Sequence, residues 1–146
     1  MLKRLFAAVL LTLSWIAIFS SCKKAETGKS FTLTYQLKFD GTLINPPVGG
    51  SPTVQYTYSG FVPTTEGLSA GITSWSKSIS VSNAPKGTQF YLNTPNGLYF
   101  ATSAAAPTLK AEISVDGTTQ AEYTVNATLY TPNIGTGTVN VLYITP

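Results

Sequence analysis

The chain has no histidine, one cysteine and few charges: nine Lys and Arg against six Asp and Glu in 146 residues. Without histidine, neither a Ser-His-Asp nor a Cys-His nucleophilic centre can be assembled. Ordinary zinc sites, which use Cys and His, are excluded with them. Arginine does not occur after Arg4, and Lys and Arg form no cluster from Phe31 onward. The electrostatic footprint of nucleic-acid binding is therefore missing. No phosphate loop is present either. Neither "PVGGSP" (47–52) nor "GTGT" (135–138) is followed by a P-loop lysine and a helix.

A mechanism with paired carboxylates needs two acids converging in a cleft, and the few acids have plainer roles. Asp40 and Asp116 precede glycines in turns, Glu112 and Glu122 fall on the polar faces of adjacent strands, and Glu66 reads as a loop residue beside Gly67. The expectation is a non-enzymatic protein with no catalytic residue, metal ligand or cofactor.

What the chain does have begins at its start, "MLKRLFAAVLLTLSWIAIFSSCKK". Lys3 and Arg4 precede a mostly apolar run over 5–19, and Ser20, Ser21 and Cys22 follow, which is the order of a secretory signal. The run falls short of the roughly 20 residues a membrane span needs. A lone cysteine cannot make an internal disulfide, and "FSSC" resembles the bacterial lipobox, in which diacylglycerol is attached to the cysteine sulfur before cleavage on its N-terminal side. The resemblance implies a lipoprotein signal peptide over 1–21 and lipidation of Cys22, with several acyl chains (palmitate among them) giving a stable anchor. Residues 22–30 then form a flexible tether. Lys23 and Lys24 come directly after the cysteine and Glu26 is the only nearby acid. The expected location is the cell envelope, lipid-anchored at the outer membrane and facing the periplasm. Loss of Lys3 and Arg4 leaves seven basic residues against six acidic ones, so the high pI belongs to the ends of the chain.

From Phe31 the pattern is alternation. Phe31, Leu33, Tyr35, Leu37 and Phe39 share one face of "FTLTYQLKF", and Thr32, Thr34, Gln36 and Lys38 share the other, as in a half-buried strand. "NPPVGGSP" (45–52) is a loop, because its prolines cannot donate to a ladder. Val54, Tyr56 and Tyr58 share a face of the next run. Pro63 and Gly67 break the segment after it. Trp75, Ile79 and Val81 form one phase of "ITSWSKSISV", with Lys77 interrupting that face. "TQFYLNT" and "GLYFATS" read as a pair joined by Pro95-Asn96-Gly97. "LKAEISVDGTTQAEYTVNATLY" is a hairpin turning at Asp116-Gly117. A last strand, "TVNVLYI", follows a turn region at Gly135 and Gly137.

About seven to eight antiparallel strands over 31–146, with no helical period, predict an all-β domain of the β-sandwich class. Trp75, Phe90 and Phe100 are placed to fill the layer between its sheets.

"FTLTYQLKFDG", "PTVQYTYSGF", "SWSKSISV" and "LKAEISVDGTTQAEYT", carried chiefly by Ile113 to Gly117 and by Tyr56 to Tyr58, resemble in their order the MmpS-like proteins and related small bacterial lipoproteins over residues 31–124. The resemblance implies a membrane-attached, immunoglobulin-like β-sandwich and, as in some relatives, an accessory role beside an envelope transporter. It assigns no catalytic residue.

Aromatics offer the other candidate site. Tyr91 and Tyr99 are out of phase with Phe90, Leu92, Leu98 and Phe100, which places them on an outward face as a possible binding surface. The plainer reading of both is core, since a one-residue slip in phase reverses the faces. Two functions follow: an accessory or interaction module partnered with another envelope protein, or a lipid-anchored domain capturing carbohydrate or a small ligand.

Overall fold

Alternation with a period of two puts every second side chain on the same face of a strand, and two such faces bury each other here. A computed structural model describes residues 28–58 and 62–146. Among them every regular element is a strand: β1 (Lys29–Phe39), β2 (Thr42–Ile44), β3 (Thr53–Thr57), β4 (Pro63–Gly67), β5 (Ser74–Ala84), β6 (Gln89–Asn93), β7 (Leu98–Ala101), β8 (Thr108–Val115), β9 (Thr118–Asn126), β10 (Thr128–Thr131), β11 (Ile134–Gly137) and β12 (Asn140–Ile144). They form three antiparallel sheets of four, ordered β5-β1-β8-β9, β10-β11-β7-β2 and β12-β6-β3-β4.

The first sheet is one layer of the sandwich, and the other two lie end to end as the second. Phe31 and Tyr35 of β1 meet Phe90 and Tyr56 of the β12-β6-β3-β4 sheet at 5.8 and 5.3 Å between ring centroids. Four residues farther along the same face, Phe39 stacks on Phe100 of the β10-β11-β7-β2 sheet at 6.0 Å. Leu33, Tyr35, Leu37, Leu43, Val54, Phe90, Leu92, Leu98, Phe100, Leu109, Ala111 and Ile113 are fully buried between the layers. Trp75 is partly buried at the margin of this core.

The two half-sheets share their rows. β11, β7 and β2 lie side by side in one; their chain neighbours β12, β6 and β3 lie side by side in the other. Asn93 stands opposite Asn140 and Leu98 opposite Gly137, so five steps along β6–β7 match three along β11–β12. Residues 94–97 therefore insert two extra residues into a ladder that otherwise continues. Thr94 holds the join: its amide donates to the Val139 carbonyl at 3.1 Å, and its buried Oγ1 accepts from the Val139 amide at 3.0 Å.

Several expectations change accordingly. β6 and β7 do not pair with each other, because each already has partners on both sides; Pro95-Asn96-Gly97 kinks a row instead of reversing it. Gly135 and Gly137 lie inside β11, where a Cβ on Gly135 would meet the Phe100 ring at 2.8 Å. Pro63 and Gly67 bound an edge strand, a place where a missing donor is tolerated. The short β2, β4, β10 and β11 raise the strand number to twelve among the described residues. β1 begins at Lys29, where Lys29 pairs with Ala84, so the sheet takes in the last residues of the expected tether. β1 also lies inside its sheet, between β5 and β8, whereas the first strand of the constant-type immunoglobulin order lies at an edge.

Asp116 and Gly117 both have positive φ, 48° and 80°, as a tight hairpin turn requires. At Gly41 the backbone passes so close that a Cβ would sit 2.0 Å from the Ala101 carbonyl oxygen.

Candidate functional site

The two outer faces of the sandwich differ in chemistry. On the first layer, alternation exposes Ser74, Ser76, Ser78 and Ser80 of β5, Thr32, Thr34, Gln36 and Lys38 of β1, and Lys110 and Glu112 of β8. Lys110 sits between Glu112 at 3.5 Å and Glu122 of β9 at 2.7 Å. This face is hydroxylated, charged and readily hydrated.

The outer face of the second layer carries Ile44, Gln55, Tyr91, Asn93, Tyr99, Tyr130, Asn140, Leu142 and Ile144, none of them charged. Both tyrosines singled out in the sequence project here, because Phe90, Leu92, Leu98 and Phe100 take the inner positions of the same strands. Tyr91 stands opposite Leu142. Tyr99 lies between Ile44 and Thr136, and its ring meets that of Tyr130 edge to face at 5.7 Å. Tyr91 and Tyr99 are each half-buried, while Tyr130, Leu142 and Ile144 are 52, 48 and 49% exposed. Tyr130 and Leu142 carry no cue of their own in the sequence; only the ladder register brings them beside Tyr99 and Tyr91.

Lys77, which interrupts an apolar face in the sequence, does point inward, from edge strand β5. Its partner is Glu66, which lies on edge strand β4 and not in a loop, and whose Oε2 is 3.1 Å from the Lys77 Nζ. The same carboxylate accepts from the Tyr56 hydroxyl at 2.9 Å and from the Trp75 indole at 3.2 Å. Partial burial pushes the Glu66 pKa up, but bonds from Lys77, Tyr56 and Trp75 outweigh it and hold the carboxyl below its ordinary range. Lys77 is raised, chiefly by that bond. Tyr56 is raised by burial and then by Glu66. The cluster ties the β4 edge of one layer to the β5 edge of the other, and an inward-pointing charge on an edge strand also discourages edge-to-edge pairing. Its chemistry is structural: every group in it is engaged with another.

Deeper in the core, the Tyr35 hydroxyl donates to the Thr57 carbonyl at 2.6 Å, and burial pushes its phenol well above the ordinary value. Among the described residues no three of His, Cys, Asp and Glu come together as a metal site. Cys22 and the expected signal segment before it lie outside the described residues. No known protein family matches the chain, and no curated protein is significantly similar to it. The functional reading rests on the chain's own residues.

Proposed function

We propose that the protein is a lipid-anchored module of the bacterial cell envelope that acts by binding and not by catalysis. Its contact surface for another envelope protein, such as a transporter component, is the uncharged outer face of the second layer. The observation that carries this reading is the contrast between the two faces. A face made only to be hydrated resembles the Ser-, Thr- and Lys-bearing first layer; the opposite one displays tyrosines, Leu142 and Ile144 without a charge. Interface centres are depleted of charge and enriched in aromatic residues, and tyrosine joins a large apolar body to a polar tip. The anchor belongs to the same reading. Acylation of Cys22 fixes the domain to a membrane through a short polar tether, at the outer membrane and facing the periplasm.

Photo-crosslinking in intact cells tests it. A photoreactive phenylalanine analogue at Tyr99 is expected to give a discrete adduct with a membrane protein, and the same analogue at Ser78 on the opposite face is not. Adducts from Ser78 with none from Tyr99 overturn the assignment of the face.

A further inference from the structure

The two residues inserted at 94–97 open a notch at the side of the sandwich. It has a volume of about 440 Å³, and Asn93, Pro95, Thr138 and Asn140 line it from the second layer and Tyr123 from β9 of the first. That volume lies in the range of roughly 300–1,000 Å³ of small-molecule sites. Irregularities in a ladder are over-represented beside functional sites, where they re-aim side chains.

Two features of the lining stand out. The Asn93 Oδ1 is buried and has no hydrogen-bond partner. Its neighbour Thr94 is already committed to Val139 on both its amide and its hydroxyl, so Asn93 is the group with capacity left. Buried side-chain acceptors in folded proteins are ordinarily satisfied, and one that is not calls for a donor. Tyr123 is the second feature. It shares the inner face of its sheet with Ala111, opposite it across the ladder, yet its ring is 49% exposed because β9 is an edge strand. A phenol ring at the mouth of an amide-lined notch offers an apolar platform beside hydrogen-bonding groups.

We infer that this notch binds a neutral saccharide unit, with sugar hydroxyls hydrogen-bonding the Asn93 and Asn140 side-chain amides that line it and the Tyr123 ring packing against the C–H face of the sugar. The composition selects the class. No charged side chain lines the notch, so an anionic or cationic ligand finds no counter-charge. Two amides and two threonines among so few residues suit a polyol better than a hydrocarbon, which prefers a mostly apolar lining. The inference goes beyond the interaction face: the notch shares Asn93 and Asn140 with the end of that face, but Tyr123 belongs to the first layer, and Tyr99 and Tyr130 do not line the notch.

The test uses the full-length protein purified in detergent, titrated with cellohexaose, xylohexaose, mannohexaose and maltohexaose, with polygalacturonate as the anionic comparator. Calorimetry gives affinity, and NMR follows the Asn93 side-chain amide. At least one neutral oligosaccharide is expected to bind and shift that amide, with affinity falling about tenfold or more in Tyr123→Ala and in Asn93→Leu. Tyr123 is exposed, so its variant keeps the fold even where the Asn93 variant does not. Three results overturn the inference: no neutral oligosaccharide bound at millimolar concentration, unchanged affinity in Tyr123→Ala, or tighter binding of polygalacturonate. The crosslinking at Tyr99 reads the interaction face separately, so each proposal fails on its own measurement.

Discussion

Thr32 and Asp116 hold each other through two hydrogen bonds: the Thr32 amide donates to the Asp116 Oδ1 at 2.8 Å, and the Asp116 amide donates to the Thr32 carbonyl at 2.9 Å. Thr108 and Asp40 repeat the arrangement at the other end of the same strand pair, at 2.9 and 3.0 Å. Each end of the β1–β8 ladder is thus closed by the aspartate that follows one of the two strands. Replacing Asp116 with Ala removes the acceptor and with it the short polar side chain that tolerates the positive φ, for an expected loss of about 1–2 kcal/mol. Asp116→Asn, which keeps an acceptor and tolerates that backbone, is expected to lose less. Because the two clamps share no partner, Asp40→Ala and Asp116→Ala are expected to be additive in urea unfolding.

The Glu66 cluster gives stability an acid dependence of known sign. Glu66 has a lowered pKa in the folded protein, so its contribution is complete above its unfolded value and is lost as pH falls through the lowered one. Lys77 and Tyr56 are raised; their contributions are complete below their unfolded values and are lost as pH rises through the raised ones. Glu66→Gln is expected to flatten the acid limb of midpoint against pH. At neutral pH it costs about 1 kcal/mol, a modest figure because the pair is partly exposed. An unchanged acid limb in that variant contradicts the role given to the cluster.

Glycine substitutions separate close approach from turn strain. Gly41→Ala drives a methyl group into the Ala101 carbonyl and is expected to cost about 2 kcal/mol or more. Gly117→Ala meets nothing within 4 Å and carries only the cost of its positive φ, about 1 kcal/mol. Thermal unfolding of the two variants checks the order.

On the outer face of the second layer, Leu142→Lys is expected to change stability by no more than about 0.5 kcal/mol, as at ordinary surface positions, and Tyr99→Lys, which loses the edge-to-face contact with Tyr130, by about 1 kcal/mol. If the face is the contact surface, either change lowers the crosslink yield at a neighbouring outer-face position. Loss of the fold instead makes these residues part of the core.

The β8–β9 hairpin and the inner face of β1 were legible because their signals are local: an Asp-Gly step between alternating runs, and five apolar residues in one phase. The row shared by β6 and β7 was not. A Pro-Asn-Gly step says that a strand is interrupted, while only the distant partners β11 and β12 decide whether the chain then reverses or continues. Glu66 read as a loop residue for the same reason, since Pro63 and Gly67 are tolerated once β4 is an edge strand. Phase offered an outward place for Tyr91 and Tyr99 but left core as the plainer reading; the register that puts Phe90, Leu92, Leu98 and Phe100 inside decides it. The orphaned oxygen of Asn93 depends on packing, to which a sequence gives no access.

The account depends most on the anchor, and the intact mass of the native protein tests it directly. The expected species begins at Cys22 and carries acyl mass on it, and Cys22→Ser moves the protein out of the membrane fraction. A native species that retains Met1, or one that begins after position 22 without lipid, contradicts the account.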